Sequence, residues 1–492
     1  MSDHNLINED LAPVPQDQRN WSALNYFSLW VGMAVCIPSY MIAASLIAAG
    51  MSLYQAIACV FLGNAIVLVP MLLNGKVGAK YGIPYPVYAR SSFGILGSNV
   101  PALLRAIVAC GWFGIQSWIG GTAVMAVIKV IWPGFVELPA IFPAFMGVET
   151  APFLSFLIFW GINVFIIVKG VQYIKWLETA SAPILLLSGV ALLLWAISKT
   201  GGETGSFWSG FSTLANQPST FKTSAEFWKV FIPGLTGMVG FWATMSLNIP
   251  DFTRYAKDQK SQFVGQALGL PTTMTLFALI GVMVTKATEV VYGKAIWDPV
   301  GVIERFDSPA LLFVSMFIVC IATLSTNIAA NVVGPANDFA NAAPGKINFT
   351  RGGLLTAFLG ILMMPWKLIA DPSGYIFTWL IGYSSLLGPI GGILLTDYFL
   401  IRKQILNVDD LYKMEGEYGY TSGFNISALI AFILGVIPNI PGFLLKIGVV
   451  SSIPGFLETV YSYAWFVGLP LAGIIYYGLM SINSQKINQA TA

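Results

Sequence analysis

Residues Cys110 to Gly120 read CGWFGIQSWIG and lie inside an apolar run that extends from Val100 to Trp132. This run is too long and too hydrophobic for a helix of a soluble protein, and it predicts a helix that crosses a membrane. Trp112 and Gln116 are four residues apart, so their side chains share one face of that helix. Because an amide in hydrocarbon is costly unless it finds a partner, this face predicts either a ligand site or a polar contact with a neighbouring helix.

The composition of the whole chain is that of a membrane protein. Of the 492 residues, 56% are hydrophobic and only 10% are charged, whereas soluble proteins carry roughly 25% charged residues. A net charge of +2 without a basic block does not indicate a nucleic-acid partner. The only histidine, His4, lies in the polar N-terminal tail, and the four cysteines fall in apolar runs. These features argue against a zinc cluster and a disulfide framework, and no cofactor is expected.

Apolar runs of about 20 residues, the length that crosses a bilayer, predict twelve membrane-spanning helices. The predicted spans are residues 23–50, 52–74, 100–132, 152–170, 177–199, 225–248, 263–286, 309–334, 352–366, 373–401, 424–445 and 461–481. Lysine and arginine are concentrated in the loops on the side of the N-terminus, which predicts a multi-pass protein of the cell membrane with both termini in the cytoplasm. The link at 133–151 has no basic residue and is predicted to be external.

Spans one and six are interrupted by proline and glycine. Span one contains Gly32 and then Cys36-Ile-Pro-Ser39, and span six contains the segment from Pro233 to Gly240, PGLTGMVG. Proline lacks an N–H and disfavours helix at the residue before it. Interrupted helices five spans apart indicate a transporter of inverted repeats with its site at the midplane, although two kinks filled by neighbouring helices would give the same pattern.

Aromatic and amide side chains lie in the spans that such a repeat would bring together. Phe241 and Trp242 follow the glycines of span six, and Asn331 lies in span eight, the counterpart of span three. Two indoles can hold a flat ring between them, with a gain of about 0.5–1.5 kcal/mol for each stacking contact. The amides of Gln116 and Asn331 complement the alternating N–H and C=O edge of a cyclic urea or imide. Spans one, three, six and eight have no charged residue near their middle, which predicts a neutral ligand.

Two adjacent hydroxyls in span eight, Ser325 and Thr326, indicate a cation site. Together with main-chain carbonyls freed by the break in span one, they could provide oxygen ligands for sodium without a carboxylate. Both hydroxyls could instead bond to their own helix, as hydroxyls in the middle of a helix often do.

The chain resembles the nucleobase:cation symporter-1 family, which includes the hydantoin, allantoin, uracil and cytosine permeases. The segments that carry the resemblance are Asn8–Pro15, Arg19–Trp21, Gly111–Gln116, Asn248–Arg254, Ala322–Asn331, Met363–Lys367 and Leu387–Gly392. The resemblance implies an all-α polytopic protein with the leucine-transporter fold, in which two inverted five-helix repeats precede two extra helices. The expected organisation is a tail (1–20), repeat one (21–199), repeat two (225–401), spans eleven and twelve (424–481) and a second tail (482–492).

The resemblance also implies roles for individual residues. A substrate would stack between Trp112 and Trp242 and accept and donate hydrogen bonds with Gln116 and Asn331. Sodium would contact three main-chain carbonyls, those of Gly32, Val35 and Ala322. It would also contact the side-chain hydroxyls of Ser325 and Thr326.

Two substrate-binding positions depart from the hydantoin permease pattern. Cys36 replaces a glutamine near the substrate, and Phe241 replaces a glycine before the second tryptophan. Both departures put a hydantoin with a bulky substituent in doubt. The segment Ile37-Pro-Ser-Tyr40 is instead similar to a Pro-x-Tyr element of allantoin and uracil permeases.

The predicted function is therefore import of a neutral, planar, amide-bearing heterocycle, such as allantoin, uracil or a related nucleobase or hydantoin, by symport with sodium. The alternative is a proton-coupled permease for cytosine or purines. The expected partners are the small-molecule substrate, sodium and membrane lipid, and the expected state is a monomer. An enzyme is not expected, because intramembrane catalysis would need a nucleophile with a base or a metal cluster. A channel is not expected either, because it would need polar lining along its whole pore and not one cluster at the midplane.

Overall fold

The computed structural model describes residues 6–143, 146–169, 171–370 and 374–491. Parts of several predicted segments lie outside the described residues: 1–5 of the first tail, 144–145 of the external link, 170 of span four, 373 of span ten and 492 of the second tail. Within the described ranges the chain is helical, and strand pairing is limited to two isolated bridges.

The α-helices follow one another along the chain with short connections. The first group is α1 Ala23–Ala34, α2 Ile37–Ala48, α3 Leu53–Tyr81, α4 Tyr85–Phe93, α5 Asn99–Ile131, α6 Thr150–Lys169, α7 Val171–Thr204 and α8 Phe207–Asn216. The second group is α9 Ser224–Phe241, α10 Ala243–Asn248, α11 Pro250–Thr253, α12 Gln259–Tyr292, α13 Pro299–Ile303, α14 Pro309–Asn331 and α15 Val333–Ala342. The third group is α16 Phe349–Leu362, α17 Pro365–Leu368, α18 Ile381–Leu395, α19 Ile426–Val436, α20 Ile440–Lys446, α21 Gly455–Ser462 and α22 Ala464–Thr491, with π-helical turns at Gly374–Leu380 and Thr396–Ile401 on either side of α18.

Eight helical segments among the described residues are long and apolar enough to cross a membrane, and the bent pair α1 and α2 makes a ninth. Each predicted span has a helical counterpart, including α7 for span five and α9 with α10 for span six. Span nine corresponds to α16, which has 14 residues and is shorter than the roughly 20 residues that cross a bilayer. The multi-pass helical architecture is therefore confirmed, and the number of twelve spans stays a prediction.

The glycine-rich part of span six is itself helical, and the interruption comes after it. Helix α9 continues through Pro233 to Phe241, and the chain leaves the helical conformation at Trp242, where φ is −105° and ψ is 9°. A Cβ atom at Gly240 would collide with the side chain of Ser384 on α18. The missing Cβ therefore lets α9 approach α18 closely, and the break lies beside the predicted aromatic pair.

The N-terminal tail packs against one face of the helical body, which we call the tail-side face. Leu6 and Leu11 are buried there. The guanidinium of Arg254 donates a hydrogen bond to the main-chain carbonyl of Asp10 at 2.7 Å, and the Tyr412 hydroxyl donates to the carbonyl of Leu11 at 2.8 Å. Arg254 directly follows α11, and Tyr412 ends the 3-10 turn Asp409–Tyr412. The tail therefore joins segments that are far apart in the sequence.

The tail-side face holds a buried arginine whose donors reach several acceptors. Arg90 on α4 donates through Nε and Nη2 to the Asn341 side-chain oxygen at 3.1 and 2.7 Å. It also donates to the main-chain carbonyls of Leu411 and Leu6, each at 3.0 Å. Because all four bonds end on oxygen acceptors, this arginine is well satisfied although it is 1% exposed.

A second arginine at the same face pairs with a buried carboxylate. Arg402 Nε donates to Asp397 Oδ2 at 2.8 Å, and its Nη2 donates to the carbonyl of Ser91 at 2.9 Å and to the Tyr420 hydroxyl. The other carboxylate oxygen, Oδ1, accepts a hydrogen bond from the Tyr476 hydroxyl at 2.8 Å. We refer to the side chains of these two clusters as the tail-side network, namely Arg90, Asn341, Asp397 and Arg402.

Candidate substrate and cation site

The break in the first span follows from a proline. Pro38 has no N–H to return to the carbonyl of Ala34, and that carbonyl accepts instead from the N–H of Cys36 at 3.0 Å. Helix α1 ends there and α2 begins at Ile37, with an angle of 60° between the two helices. Cys36 has an extended backbone at the start of α2, and its Sγ lies 3.2 Å from the Ser39 hydroxyl.

The candidate cation ligands lie on both sides of this break. Gly32 is in the last turn of α1, and Val35 directly follows that helix, while the other three ligands are buried on α14. The Thr326 hydroxyl donates to the Gly32 carbonyl at 3.3 Å. This hydroxyl therefore bonds across to α1. The remaining two ligands on α14 are Ala322 and Ser325, which are 4% and 1% exposed.

The six candidate substrate residues surround one small pocket. Its lining consists of Cys36, Trp112, Gln116, Phe241, Trp242 and Asn331, together with Met33, Thr244, Met245, Thr326 and Ala330. The pocket has a volume of about 30 Å³, which is room for about two water molecules and too little for a ring-shaped ligand. A heterocycle therefore needs side-chain movement before it can enter.

The ring of Phe241 lies between the two indoles that were expected to face each other. Its centroid is 5.2 Å from that of Trp112 and 4.9 Å from that of Trp242, with interplanar angles of 71° and 81°. Edge-to-face contacts of this kind are a favourable arrangement for aromatic rings. Trp242 also contacts Trp30 edge-on, with the centroids 5.0 Å apart. Phe241 thus contacts both indoles at the pocket.

Two buried polar atoms at the pocket have no hydrogen-bond partner among the described residues. They are Oε1 of Gln116, which is an acceptor, and Nε1 of Trp242, which is a donor. Gln116 is 3% exposed and Trp242 is 4% exposed. A buried polar atom without a partner costs about 1–3 kcal/mol. A further polar group at the pocket is the amide of Asn331, whose Nδ2 donates to Oδ1 of Asn327 at 3.0 Å. The pocket therefore offers hydrogen bonds of both kinds to a ligand.

Sequence reasoning did not include four of the residues that line the pocket. Met33 lies on α1 just before the break, Thr244 and Met245 follow Trp242, and Ala330 precedes Asn331. Their signal was their position next to the predicted ligands, but side chains without a π face or an amide gave no reason to select them. They add apolar surface and one hydroxyl to the pocket.

A second, larger cavity lies on the other side of the break. It has a volume of about 350 Å³ and is lined mainly by aliphatic and aromatic side chains of α2, α7, α12 and α14. Cys36 lines both cavities, while Val35 and Ala322 contact only the larger one. The aromatic and amide residues predicted to bind substrate belong to the smaller pocket, so the smaller pocket is the candidate substrate site.

The helical architecture and the comparisons with known proteins together define a multi-pass membrane permease, because the matched family and relatives are permeases and not enzymes. The chain belongs to the family described as "Permease for cytosine/purines, uracil, thiamine, allantoin", whose sequence model matches residues 13–468. This assignment confirms the resemblance to the nucleobase:cation symporter-1 family.

Two relatives are similar over almost the whole chain. A purine-uracil permease of Arabidopsis thaliana is 44% identical over 98% of this chain and 79% of its own length. An allantoin permease of Bacillus subtilis (strain 168) is 40% identical over 97% of this chain and 94% of its own length.

The same fold occurs in solved transporter structures. Mhp1, a nucleobase-cation-symport-1 family transporter in a closed conformation with bromovinylhydantoin bound, superposes with a TM-score of 0.76 at 24% identity, covering 98% of this chain and 96% of that one. A Na⁺-coupled sialic acid symporter gives a TM-score of 0.63 at 11% identity, covering 94% and 91% of the two chains. At these identities the likeness concerns the fold alone, and it agrees with the leucine-transporter-like fold that the family resemblance implied.

Proposed function

We propose that the protein imports a neutral, planar heterocycle that carries adjacent N–H and C=O groups, by symport with sodium. The observation that carries this proposal is the pair of buried, unpartnered polar atoms, Gln116 Oε1 and Trp242 Nε1, in a pocket lined by aromatic rings. A ligand that supplies one donor and one acceptor to these atoms removes the cost of leaving them unpaired. The heterocycles named for the relatives, allantoin, uracil and purines, have such edges.

The electrostatics of the pocket support a ligand without charge. Among the described residues that line it, none carries an ionisable acid or base apart from the thiol of Cys36. An ion in a low-dielectric site needs a counter-charge, and charged residues inside a membrane commonly mark the path of a charged solute. A neutral ring with several amide-like groups therefore fits this site better than an organic ion.

We further propose that sodium bridges α1 and α14 near the break. The carbonyl of Gly32 and the hydroxyl of Thr326 already lie 3.3 Å apart, and carbonyl and hydroxyl oxygens are ligands that hard cations accept. The other proposed ligands are the carbonyls of Val35 and Ala322 and the hydroxyl of Ser325. A cation held here would fix α1 against α14 beside the pocket. The alternative is coupling to protons, with the two hydroxyls serving only helix contacts.

The remaining parts of the proposal concern topology. We infer twelve spans, in which residues 21–199 and 225–401 form two inverted repeats and 424–481 add two helices. We also infer a monomer in the cell membrane. Both tails, 1–20 and 482–492, are placed in the cytoplasm, because the distribution of basic residues favours that side. Cysteines introduced at each predicted loop and labelled with an impermeant maleimide in intact cells test this arrangement.

The decisive experiment measures the effect of sodium on substrate binding. Purified protein is titrated with uracil and with allantoin in sodium and in choline, for the wild type and for Thr326→Val. Because coupling between two sites is reciprocal and commonly 1–3 kcal/mol, sodium should raise substrate affinity by roughly 5- to 150-fold in the wild type. Thr326→Val keeps the shape but removes one oxygen, and it should reduce this factor more than it reduces binding in choline.

Thr323→Val provides a matched control. Thr323 is buried on the same helix, three residues before Thr326. The substitution there is the same, threonine to valine, and it also preserves the shape of the side chain. This control should keep the sodium effect of the wild type. Wild-type affinity that is indifferent to sodium, together with uptake that follows a proton gradient, would replace sodium by protons in the proposal.

A further inference from the structure

A chain of buried amides connects Asn331 at the pocket to two neighbouring helices. Asn331 Nδ2 donates to Oδ1 of Asn327, one turn earlier on α14. Asn327 Nδ2 lies 3.1 Å from Oδ1 of Asn163 on α6 and 3.1 Å from the hydroxyl of Ser117 on α5. Asn163, Ser117 and Asn327 are each fully buried. We call the three asparagines, Asn163, Asn327 and Asn331, the amide chain.

Two main-chain carbonyls determine which way each amide in this chain points. Asn163 Nδ2 donates to the carbonyl of Phe159 at 2.9 Å, and Asn327 Nδ2 lies 3.3 Å from the carbonyl of Phe113. A carbonyl can only accept, so the NH₂ ends of both asparagines must face these carbonyls. Their oxygen ends then face the next member of the chain, and Asn331 has to donate its NH₂ group to Asn327.

From this polarity we infer that Asn331 presents its carbonyl oxygen, and not its NH₂ group, to the pocket. Asn163 and Asn327 are then positioning residues, because they hold the Asn331 amide in this orientation. The site therefore selects a substrate with an N–H at that edge. The inference rests on the proposed function and names the feature of the substrate that the site reads. A ligand with a ring oxygen or an unprotonated ring nitrogen at the same place would face Asn331 Oδ1 with a lone pair. Such a ligand loses a hydrogen bond and leaves the buried oxygen without a partner.

Isosteric ligand pairs test this selection without a change of size. The probes are uracil and hydantoin, each compared with analogues in which a ring oxygen replaces one N–H group. Binding to the purified full-length protein is measured by calorimetry in saturating sodium. For at least one N–H position, the wild type should bind the parent at least about 10-fold more tightly than the oxygen analogue, the loss that one hydrogen bond to a buried group explains.

Variants of Asn327 separate positioning from packing. Asn327→Leu removes the acceptor that holds the Asn331 NH₂ group, so the Asn331 amide can turn and the preference should fall to within about 3-fold, less than one hydrogen bond confers. Asn327→Asp is close to isosteric, and in its protonated form the side chain keeps an acceptor for Asn331 and a donor for the Phe113 carbonyl. This variant should retain the preference of the wild type.

A milder variant covers the case in which Asn327→Leu does not fold. Asn163→Leu removes one of the acceptors of Asn327 and should lower the preference to an intermediate value. Its matched control is Asn64→Leu, because Asn64 is also fully buried and also donates to the carbonyl four residues earlier, Val60, at 2.7 Å on α3. The control should leave the preference unchanged.

The outcomes distinguish this inference from the proposed function. If neither uracil nor hydantoin nor allantoin binds the wild type, both fall. If the parent ligands bind but the wild type shows no preference for the N–H form at any position, or if Asn163→Leu and Asn64→Leu behave alike, the proposed function stands and the role of the amide chain is wrong.

Discussion

At the pocket, Gln116 Oε1 and Trp242 Nε1 are buried without a partner among the described residues, whereas at the tail-side face Arg90 and Arg402 are held by a dense set of oxygen acceptors. Both regions bury strongly polar groups in a helical body, but Arg90 and Arg402 of the tail-side network find oxygen acceptors within the protein, whereas the two pocket atoms do not. Unsatisfied buried groups favour binding of a ligand that completes them, and satisfied ones favour a fixed arrangement of helices.

The difference separates the two tasks of a transporter of this class. Under the proposed function, a substrate would complete the two unpartnered polar atoms of the pocket. The tail-side network joins the tail, α4 and the segment after α18 with bonds that need no ligand. We expect substitutions at the two regions to have opposite signatures, with loss of stability at the network and loss of affinity at the pocket.

The largest effect is expected at the tail-side network. Arg402→Ala leaves the Asp397 carboxylate buried without its ion partner, and removal of one member of a buried pair costs about 3–5 kcal/mol of folding stability. Arg402→Lys should recover part of this loss, because lysine restores the charge but not the forked donors. Unfolding of the detergent-solubilised protein measures both.

The control for this prediction is Lys446→Ala, which breaks the exposed pair with Glu458. Its side chains are 28% and 48% exposed, and surface pairs contribute about 0–1 kcal/mol. If Arg402→Ala is no less stable than Lys446→Ala, the tail-side network does not hold the fold together in the way proposed.

An effect of intermediate size is expected at the pocket. Gln116→Ala removes the amide that faces the ligand and should weaken uracil or allantoin binding by about 1–3 kcal/mol, because a buried ligand group then stays unpaired. Stability should rise slightly or stay constant, since the variant also removes an unpartnered oxygen. Calorimetry and thermal unfolding of the same preparation give the two numbers, and unchanged affinity would remove Gln116 from the site.

The smallest effect is expected where the tail meets the helical body. Asn8 Nδ2 lies 3.3 and 3.4 Å from the carbonyls of Pro344 and Ile347, and its Oδ1 accepts from the N–H of Leu11. Asn8→Ala should cost about 0.5–1.5 kcal/mol, the net value of ordinary hydrogen bonds. Faster hydrogen exchange at Leu11 and Ala12, with substrate affinity unchanged, is the expected result.

A matched control for the tail is Asn216→Ala, because Asn216 is exposed and, in the part of the chain that the structure describes, its side chain bonds to Ser212 of its own helix alone. Exchange in the tail should be the same in this variant as in the wild type. A change of substrate affinity in Asn8→Ala would mean that the tail and the pocket are not independent regions.

The sequence predicted the helical architecture well, because long apolar runs have few alternatives in a membrane. It also located the break of span one, since Pro38 acts on the backbone directly and needs no tertiary partner. The break of span six lies at Trp242 and was assigned to the preceding glycines. Glycine permits both a break and a close helix contact, and the position of Ser384 on α18 decides between them at Gly240.

The sequence grouped six of the residues that line the pocket but did not predict the pocket's geometry, and the role of these residues in substrate binding stays a prediction. Residue type and spacing favoured Trp112 and Gln116 as candidates for ligand contact, whereas the position of the Phe241 ring depends on side-chain packing between helices far apart in the sequence. Asn163 and Ser117 gave a usable signal, since polar residues in apolar spans need partners. Their partner, Asn327, could not be assigned from the sequence because three helices meet there.

The ring of Phe241 has a consequence for how binding to this protein is measured. If only those molecules in which the ring has turned aside can admit a heterocycle, the observed dissociation constant equals the intrinsic one divided by the fraction of such molecules. Two homologous permeases with the same contacts to the same heterocycle would then report different affinities solely because this fraction differs. Each tenfold decrease in that fraction hides about 1.4 kcal/mol of intrinsic affinity. A weak titration with the protein would in that case reflect the rarity of its open form and say little about the quality of the contacts that follow.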